Sequence, residues 1–485
     1  MKKQVSAAVL LLTLLLSSTM IACGNDTSGD AKATDGSNIE TETAAETADP
    51  YAAQKAVLDA LPVLDLGGAE FVIAAQAAVG DSEREIYVEE ADGDVINDAI
   101  YQRNLAINER FNCEIRVLGC SVLDTIRQAV SAGDGSYPIA MPNLHDAATL
   151  AQEHYLLDYQ NFDVFDLSAK WWDQGTAELK IGGHVFFMSG DINILDNGVT
   201  YIMLFNKKLI ANNDMEEPYQ LVRDGKWTLD VFAEMCKDIS MDFNGDSMMD
   251  EQDLYGYVTT SAGPNTFFYG SDLKYVIFDE DQTPHLQVDS TKITQVLEKV
   301  VNVTGKEHQV SYLLSDPAVG VPMFTEDRVL FYGEVLGYVI GLRGMESEFG
   351  VLPIPKFDEA QERYTTYCES NSSTAVIPNA GDPETAATVL EAMAIQSHMT
   401  VTPAYYDVAL ARKYSRDEES VEMIDIALAN RVYDIARIYS TLNLSGIFQD
   451  LAAKGSTDFA SAFAKREKSA SKRLEKIVED FESID

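Results

Sequence analysis

The sequence predicts an α/β protein, and three observations carry that prediction. Strand-like and helix-like segments alternate from about residue 67 onward, the mark of a layered fold with parallel strands. The chain has 485 residues, enough for two or three domains with real cores. Hydrophobic residues make up 46% and charged residues 24%, as in a soluble globular protein.

The elements follow in order. "GGAEFVIAAQ" (67–76) reads as a first strand. "DVINDAIYQRNLAINERFN" (94–112) has apolar residues at helical spacing, and "CEIRVLG" (113–119) is a second strand. "VLDTIRQAVSAG" (122–133) is a helix, "YPIAMP" (137–142) a short buried strand, and "HDAATLAQEHYLLDY" (145–159) another helix. "GGHVFFMSGD" (182–191) and "VTYIMLFNKKLI" (199–210) read as strands. "TLDVFAEMCKDI" (228–239) is an amphipathic helix that Thr228 caps after Trp227. "RVLFYGE" (328–334) and "FGVLPIP" (349–355) are strands. "TAVIPNAGDPETAATVLEAMAIQSH" (374–398) gives a strand, a Pro-marked turn and a helix, and the chain beyond 420 is mainly helical.

The N-terminus carries an address. "MKK" is basic, "AAVLLLTLLL" is a short apolar core, and small residues lead to Cys23, so residues 1–22 read as a secretory signal. Met20-Ile21-Ala22-Cys23 resembles a bacterial lipobox, which implies lipidation of Cys23 and cleavage before it. Residues 23–65 read as an acidic, disordered tether, too poor in large apolar side chains to order itself. Such a tether spans roughly 30–35 Å. The formal net charge of −42 repels phosphate backbones and anionic lipid, so no nucleic-acid partner is expected. Cys113 and Cys120 flank one strand, ~23 Å apart when extended, so these thiols are read as free and buried.

No catalytic signature stands out: there is no GxSxG, HExxH, Walker loop or GxGxxG. "DFNGDSMMDEQD" (242–253) has the alternation of a calcium loop. Asp242, Asn244 and Asp246 take its first, third and fifth positions; the Met248 carbonyl, Asp250 and Asp253 complete the set. Ser247 stands where Gly is usual, and Asp253 is shorter than the usual Glu. The expectation is a structural calcium clip, with a plain acidic turn as the alternative. Aromatic residues near loop ends (Trp171, Trp172, Tyr332, Tyr338, Tyr367) suit stacking on sugar rings. Asp173, Asp191, Glu334, Arg343, Glu369 and Asn371 are the candidate polar partners for its hydroxyls.

The order of segments carries a resemblance. The lipobox, "WWDQGTAELKIGGHVFFMSGD", "YQLVRDGKWTLDVF", "DFNGDSMMDEQDLYGY" and "STAVIPNAGDPETAATVLEAM" occur together. The chain thus resembles the family 1 extracellular solute-binding proteins of bacterial ABC importers, of the sugar-binding lipoprotein kind, over nearly all its length after the tether. The resemblance implies a two-lobed, periplasmic-binding-protein type II-like fold with a hinge and an interlobe cleft. It places lobe one at 66–192 plus 374–400 and lobe two at 193–373 plus 401–485. It implies a monomeric, non-enzymatic receptor on the outer face of the membrane. That receptor captures an oligosaccharide or similar polar solute and passes it to permease subunits. Two rivals share these observations: a secreted carbohydrate-active hydrolase, and a calcium-dependent adhesion or scaffold module.

Overall fold

A computed structural model describes residues 49–77, 82–280, 282–305, 310–406 and 418–483. The signal, Cys23 and most of the expected tether lie outside the described residues. The folded unit runs from Pro50 to Asp485.

Lobe one is built on a parallel sheet of β1 (Ala69–Gln76), β2 (Cys113–Cys120) and β3 (Ile139–Met141), in the order β2-β1-β3. Antiparallel bridges Ala140–Val376 and Asn143–Ser373 lay the 373–376 segment beside β3, and Met188–Ala375 adds the 182–191 run. Both runs were expected as strands; each is present only as isolated bridges. Strand alternation splits β1 between two cores. Phe71, Ile73 and Ala75 pack with Ile107, Phe111 and the helix Pro383–Ala404, while Ala74 faces Ile126 and Leu144.

Lobe two is a mixed sheet. Its strands are β4 (Tyr201–Asn206), β5 (Tyr255–Thr260), β8 (Ser311–Leu314), β9 (Val329–Val335) and β10 (Phe349–Leu352), in the order β10-β4-β9-β5-β8. Between β5 and β8 the chain makes a separate hairpin of β6 (Val276–Phe278) and β7 (Pro284–Leu286). β11 (Thr366–Tyr367) pairs with β12 (Arg431–Val432) beside the crossing segments. β5, β8 and β9 are parallel, and β4 runs against β9. The carboxyl ends of β5 and β9 and the start of β4 therefore share one edge, which faces lobe one.

Local chemistry explains these elements. Thr228 caps the helix Leu229–Cys236 by accepting the Val231 N–H, as its sequence predicts. Trp227 is fully buried and donates its indole N–H to the Pro353 carbonyl at 2.9 Å. "NKKLI" leaves the strand reading, because the Asn206 side chain accepts the Leu209 N–H and starts a helix over Lys207–Asn212. The tether reading is also corrected at its end: Ala52–Ala60 is a helix. Leu58, Leu61 and Leu64 recur every third residue and pack into the lobe-one core.

Two helices tie the lobes together besides the crossing segments. The helix Pro383–Ala404 starts in the lobe-one core, but Val401 and the following Tyr405 pack with Ile202 and Leu204 of β4. The helix Val95–Phe111 sends Ile96 and Ile100 into that same lobe-two core. Among the described residues no helix is long and apolar enough to cross a membrane.

Candidate functional site

The first crossing is the irregular segment Asp191–Val199; the second leads from β11 through Cys368 back to lobe one. They touch at the Thr200–Cys368 bridge, and the Leu336 N–H donates to the Thr200 carbonyl at 2.9 Å. In open α/β folds, ligands sit at the carboxyl edges of strands. Two groups of polar side chains gather at that edge here, on opposite sides of the second crossing.

The first group centres on Glu369. Its Oε1 accepts from the Tyr201 hydroxyl at 3.1 Å, and its Oε2 accepts from Tyr367 at 2.8 Å and from Arg437 at 2.6 Å. The Tyr367 ring stacks on Tyr201 at 5.4 Å and on Tyr269 at 5.0 Å, and the Arg437 guanidinium lies over it at 4.5 Å. Lobe one reaches this seam through His145, on the first turn of the helix Leu144–Gln152, whose Nδ1 meets the Ile438 carbonyl at 2.8 Å. Glu334 ends the same seam at the carboxyl end of β9 and is only 3% exposed. Its Oε1 accepts the Val335 N–H at 2.9 Å, whereas Oε2 has no hydrogen-bond partner. Burial pushes the Glu334 carboxyl up to about 7, against the Val335 N–H and helped by the charge of Glu369. Tyr332, two residues earlier on the same face of β9, is fully buried and its hydroxyl also lacks a partner.

The second group surrounds a cavity of about 570 Å³ lined by Trp171, Trp172, Asp173, Asp191, Asn197 and Arg431 among others. Asp173 caps the short helix Gln174–Ala177 with Oδ1. Its Oδ2 takes Arg431 at 2.5 Å and the Tyr433 hydroxyl at 3.1 Å. Arg431 also donates to Asn197 of the first crossing at 2.9 Å. Asp191 pairs with His398 at 2.5 Å. The two tryptophans are 6% and 2% exposed, and their indole N–H groups donate to the two oxygens of Glu391, each at 3.0 Å. Trp172 lies edge-on to Tyr159 and Phe165. Both rings are thus pinned in the lobe-one core while bordering the cavity.

The expected site residues therefore fall into two sets. Tyr332, Glu334, Tyr367 and Glu369 share the seam; Trp171, Trp172, Asp173 and Asp191 share the cavity. Tyr338 follows β9, half-buried and within reach of the Glu334 charge, while Asn371 is exposed on the second crossing. The Arg343 side chain lies outside the described residues. Sequence reasoning missed Tyr201, Arg437, His145, Arg431 and Glu391. Tyr201 opens a recognisable strand, but both arginines sit in a stretch read only as helical, and Glu391 is one of many acids on a helix.

The calcium-like loop lies at the other edge of the lobe-two sheet, leading into the amino end of β5. Asp242 accepts the Gly245 and Ser247 N–H groups at 2.7 and 2.8 Å, and Asp246 accepts that of Met248. Asp253 ties Phe243 to Asp250, accepting both N–H groups at 2.8 Å. Ser247 holds φ 67°, the left-handed conformation that makes Gly usual at this position. The oxygens are the hard donors calcium takes. Here they turn onto the loop's own amides, and among the described residues no three His, Cys, Asp or Glu side chains converge as a metal group.

Known structures match this arrangement. One is an ABC substrate-binding protein from Listeria monocytogenes, solved in complex with cycloalternan. It is 12% identical, with a TM-score of 0.54 over 84% of this chain and 99% of its own. The chain has the fold of the bacterial ABC-importer solute-binding proteins. The GacH receptor of Streptomyces glaucescens, solved unliganded and with acarbose, gives 0.54 at 10% identity over 84% of this chain and 99% of its own. A cyclo/maltodextrin-binding protein complexed with maltotetraose gives 0.53 at 11% identity over 86% and 97%. No protein-family model matches the chain, and no curated protein sequence does. The expected two-lobed fold with a hinge is thereby met.

The Glu391 clamp has a measurable consequence. Burial pushes its carboxyl up from 4.5 to about 8, against the two indole N–H groups that favour the charged form. The folded state then holds a proton that the unfolded chain gives up, so this contribution is complete below the unfolded value and is lost as pH rises through about 8. The melting temperature should fall between pH 5 and 8, and Glu391→Gln should make that fall shallower. Thermal melts of both proteins across the range check this; parallel slopes would remove Glu391 as a cause.

Proposed function

We propose that the chain is a lipid-anchored cell-surface receptor that captures a carbohydrate between its lobes and delivers it to an ABC permease, catalysing nothing. The observation that carries this reading is the Glu369 seam. There a carboxylate on the second crossing meets an arginine and stacked tyrosines of lobe two, and His145 of lobe one stands beside them. Carboxylate and guanidinium groups take sugar hydroxyls, and flat rings take the apolar sugar face. The structural neighbours solved with cycloalternan, acarbose and maltotetraose support the ligand class.

Calorimetry against a glycan panel tests this. At least one oligosaccharide should bind at one site and be recovered unchanged. Arg437→Ala should weaken binding by about 1–3 kcal/mol, the cost of losing an arginine anchor. Turnover of the bound glycan would replace the receptor with a hydrolase, and binding to protein partners alone would replace it with an adhesion module.

The anchor is tested separately. Cys23→Ser should move the protein from the membrane fraction to the medium with its melting temperature unchanged. Retention after a salt wash would overturn the anchor.

We also propose calcium as a clip on the 242–253 loop, remote from the seam. The support is its hard-oxygen alternation and its left-handed turn at Ser247. Calcium should raise the melting temperature relative to chelator, by about 2.7 kcal/mol of stability at ~100-fold excess over Kd, with glycan affinity unchanged. Equal melting points would leave the loop closed by its own hydrogen bonds.

A further inference from the structure

The seam does not balance its charge. Glu369 has Arg437 as its cation, at 2.6 Å. Asp196, buried on the first crossing, receives the Ser373 N–H at 2.9 Å and lies in the field of Arg431. Glu334 has neither. Among the described residues it makes no ion pair, the one donor it meets is the neighbouring Val335 N–H, and Oε2 is unpartnered although the residue is only 3% exposed. The ionisable groups facing it are Glu369 on the crossing, Tyr201 on β4, Tyr257 on β5, and Tyr332 and Tyr338 on and after β9. One is acidic and four are phenols; among the described residues none is a cation. An isolated buried carboxylate is costly unless something supplies a donor, and no described residue supplies one to Oε2. The neighbouring Glu369 adds negative charge at the same place, so a donor that is also a cation suits Oε2 best.

We propose that Glu334 is a specificity residue for a positively charged solute: the receptor takes a carbohydrate carrying an amino group, and its ammonium completes the Oε2 position. This rests on the carbohydrate reading above and narrows it from neutral glycans to amine-bearing ones. The net charge of −42 draws such a solute toward the protein, where it would repel an acidic one. In ion-pair terms Glu334 and the ammonium neutralise each other, while Arg437 keeps Glu369. No proton or bond is consumed beyond the carboxyl proton that the ammonium displaces near neutral pH.

The test compares glucosamine oligomers with their N-acetylated forms and with maltodextrins of equal length, by calorimetry at pH 7 in two buffers of different ionisation heat. The amine oligomer should bind at least ~10-fold more tightly than either neutral one, as a desolvated charge pair gives. Repeated at about pH 6, where the sugar amine is already mostly ammonium and the Glu334 carboxyl, at about 7, mostly protonated, binding should also release protons. Glu334→Gln should abolish both the preference and the proton release. Proton release from the unaltered protein needs no variant, so misfolding of Glu334→Gln leaves the test intact. Equal or tighter binding of the neutral oligomers, without proton release, overturns the inference and leaves the carbohydrate receptor standing. If no glycan binds, tetramethylammonium and choline are the remaining probes. Binding of either that Glu334→Gln removes upholds the charge assignment and ends the carbohydrate reading, and binding of neither ends both.

Discussion

One buried ion pair holds the hinge in register, and the rest of the molecule is arranged around it. Asp173 comes from the lobe-one edge, Asn197 from the first crossing, and Arg431 from β12, which pairs with β11 at the start of the second crossing. One guanidinium therefore fixes three separate stretches of chain. Taking both charges out of water is costly, and only close geometry with further hydrogen bonds offsets that cost. Those bonds are present: Tyr433 and two helix-start amides share Asp173, and Asn197 shares Arg431. The pair is weak evidence for stability and strong evidence for position, since no other register of the crossings would satisfy it.

That fixed register decides which side chains face the seam. Along the second crossing Tyr367 and Glu369 turn to Tyr201 and Arg437, while Cys368 between them lies in the field of Arg431, Asp196 and Asp173. A slip of one residue would exchange the two sets. The first crossing carries the same division: Asp191 and Asn197 line the cavity, and Thr200 hands the chain to Tyr201. The two crossings thus separate the Asp173–Arg431 cavity from the Glu369 seam, on which the proposed ligand site stands.

Much of the fold was legible because it rests on local rules. The β1, β2 and β3 strands, the Thr228 cap and the helices of lobe one follow from period and capping alone. The 182–191 and 374–378 strands were over-read, because an apolar run says that a segment is buried and not how many ladder bonds it makes. The seam was only half legible. Glu334, Tyr367 and Glu369 stand beside strands that the pattern reveals. Arg437 reaches Glu369 from 68 positions further along the sequence, and no periodicity encodes such a meeting. Trp171 and Trp172 show the converse. A tryptophan pair suggests a stacking platform, but a buried glutamate on a distant helix claims both indole N–H groups.

Comparison of the buried glutamates separates structure from function. Glu391 is surrounded by protein and has a donor for each oxygen. Glu369 has three donors, one of them a cation. Asp196 leaves its Oδ2 unpartnered but lies in the field of Arg431. Glu334 is as deeply buried and has one amide. Replacing it with an apolar residue would remove a desolvation cost and one hydrogen bond, that to the adjacent Val335 N–H. A group whose burial the fold leaves uncompensated, at the one edge where two lobes meet, is explained by a partner that arrives from outside.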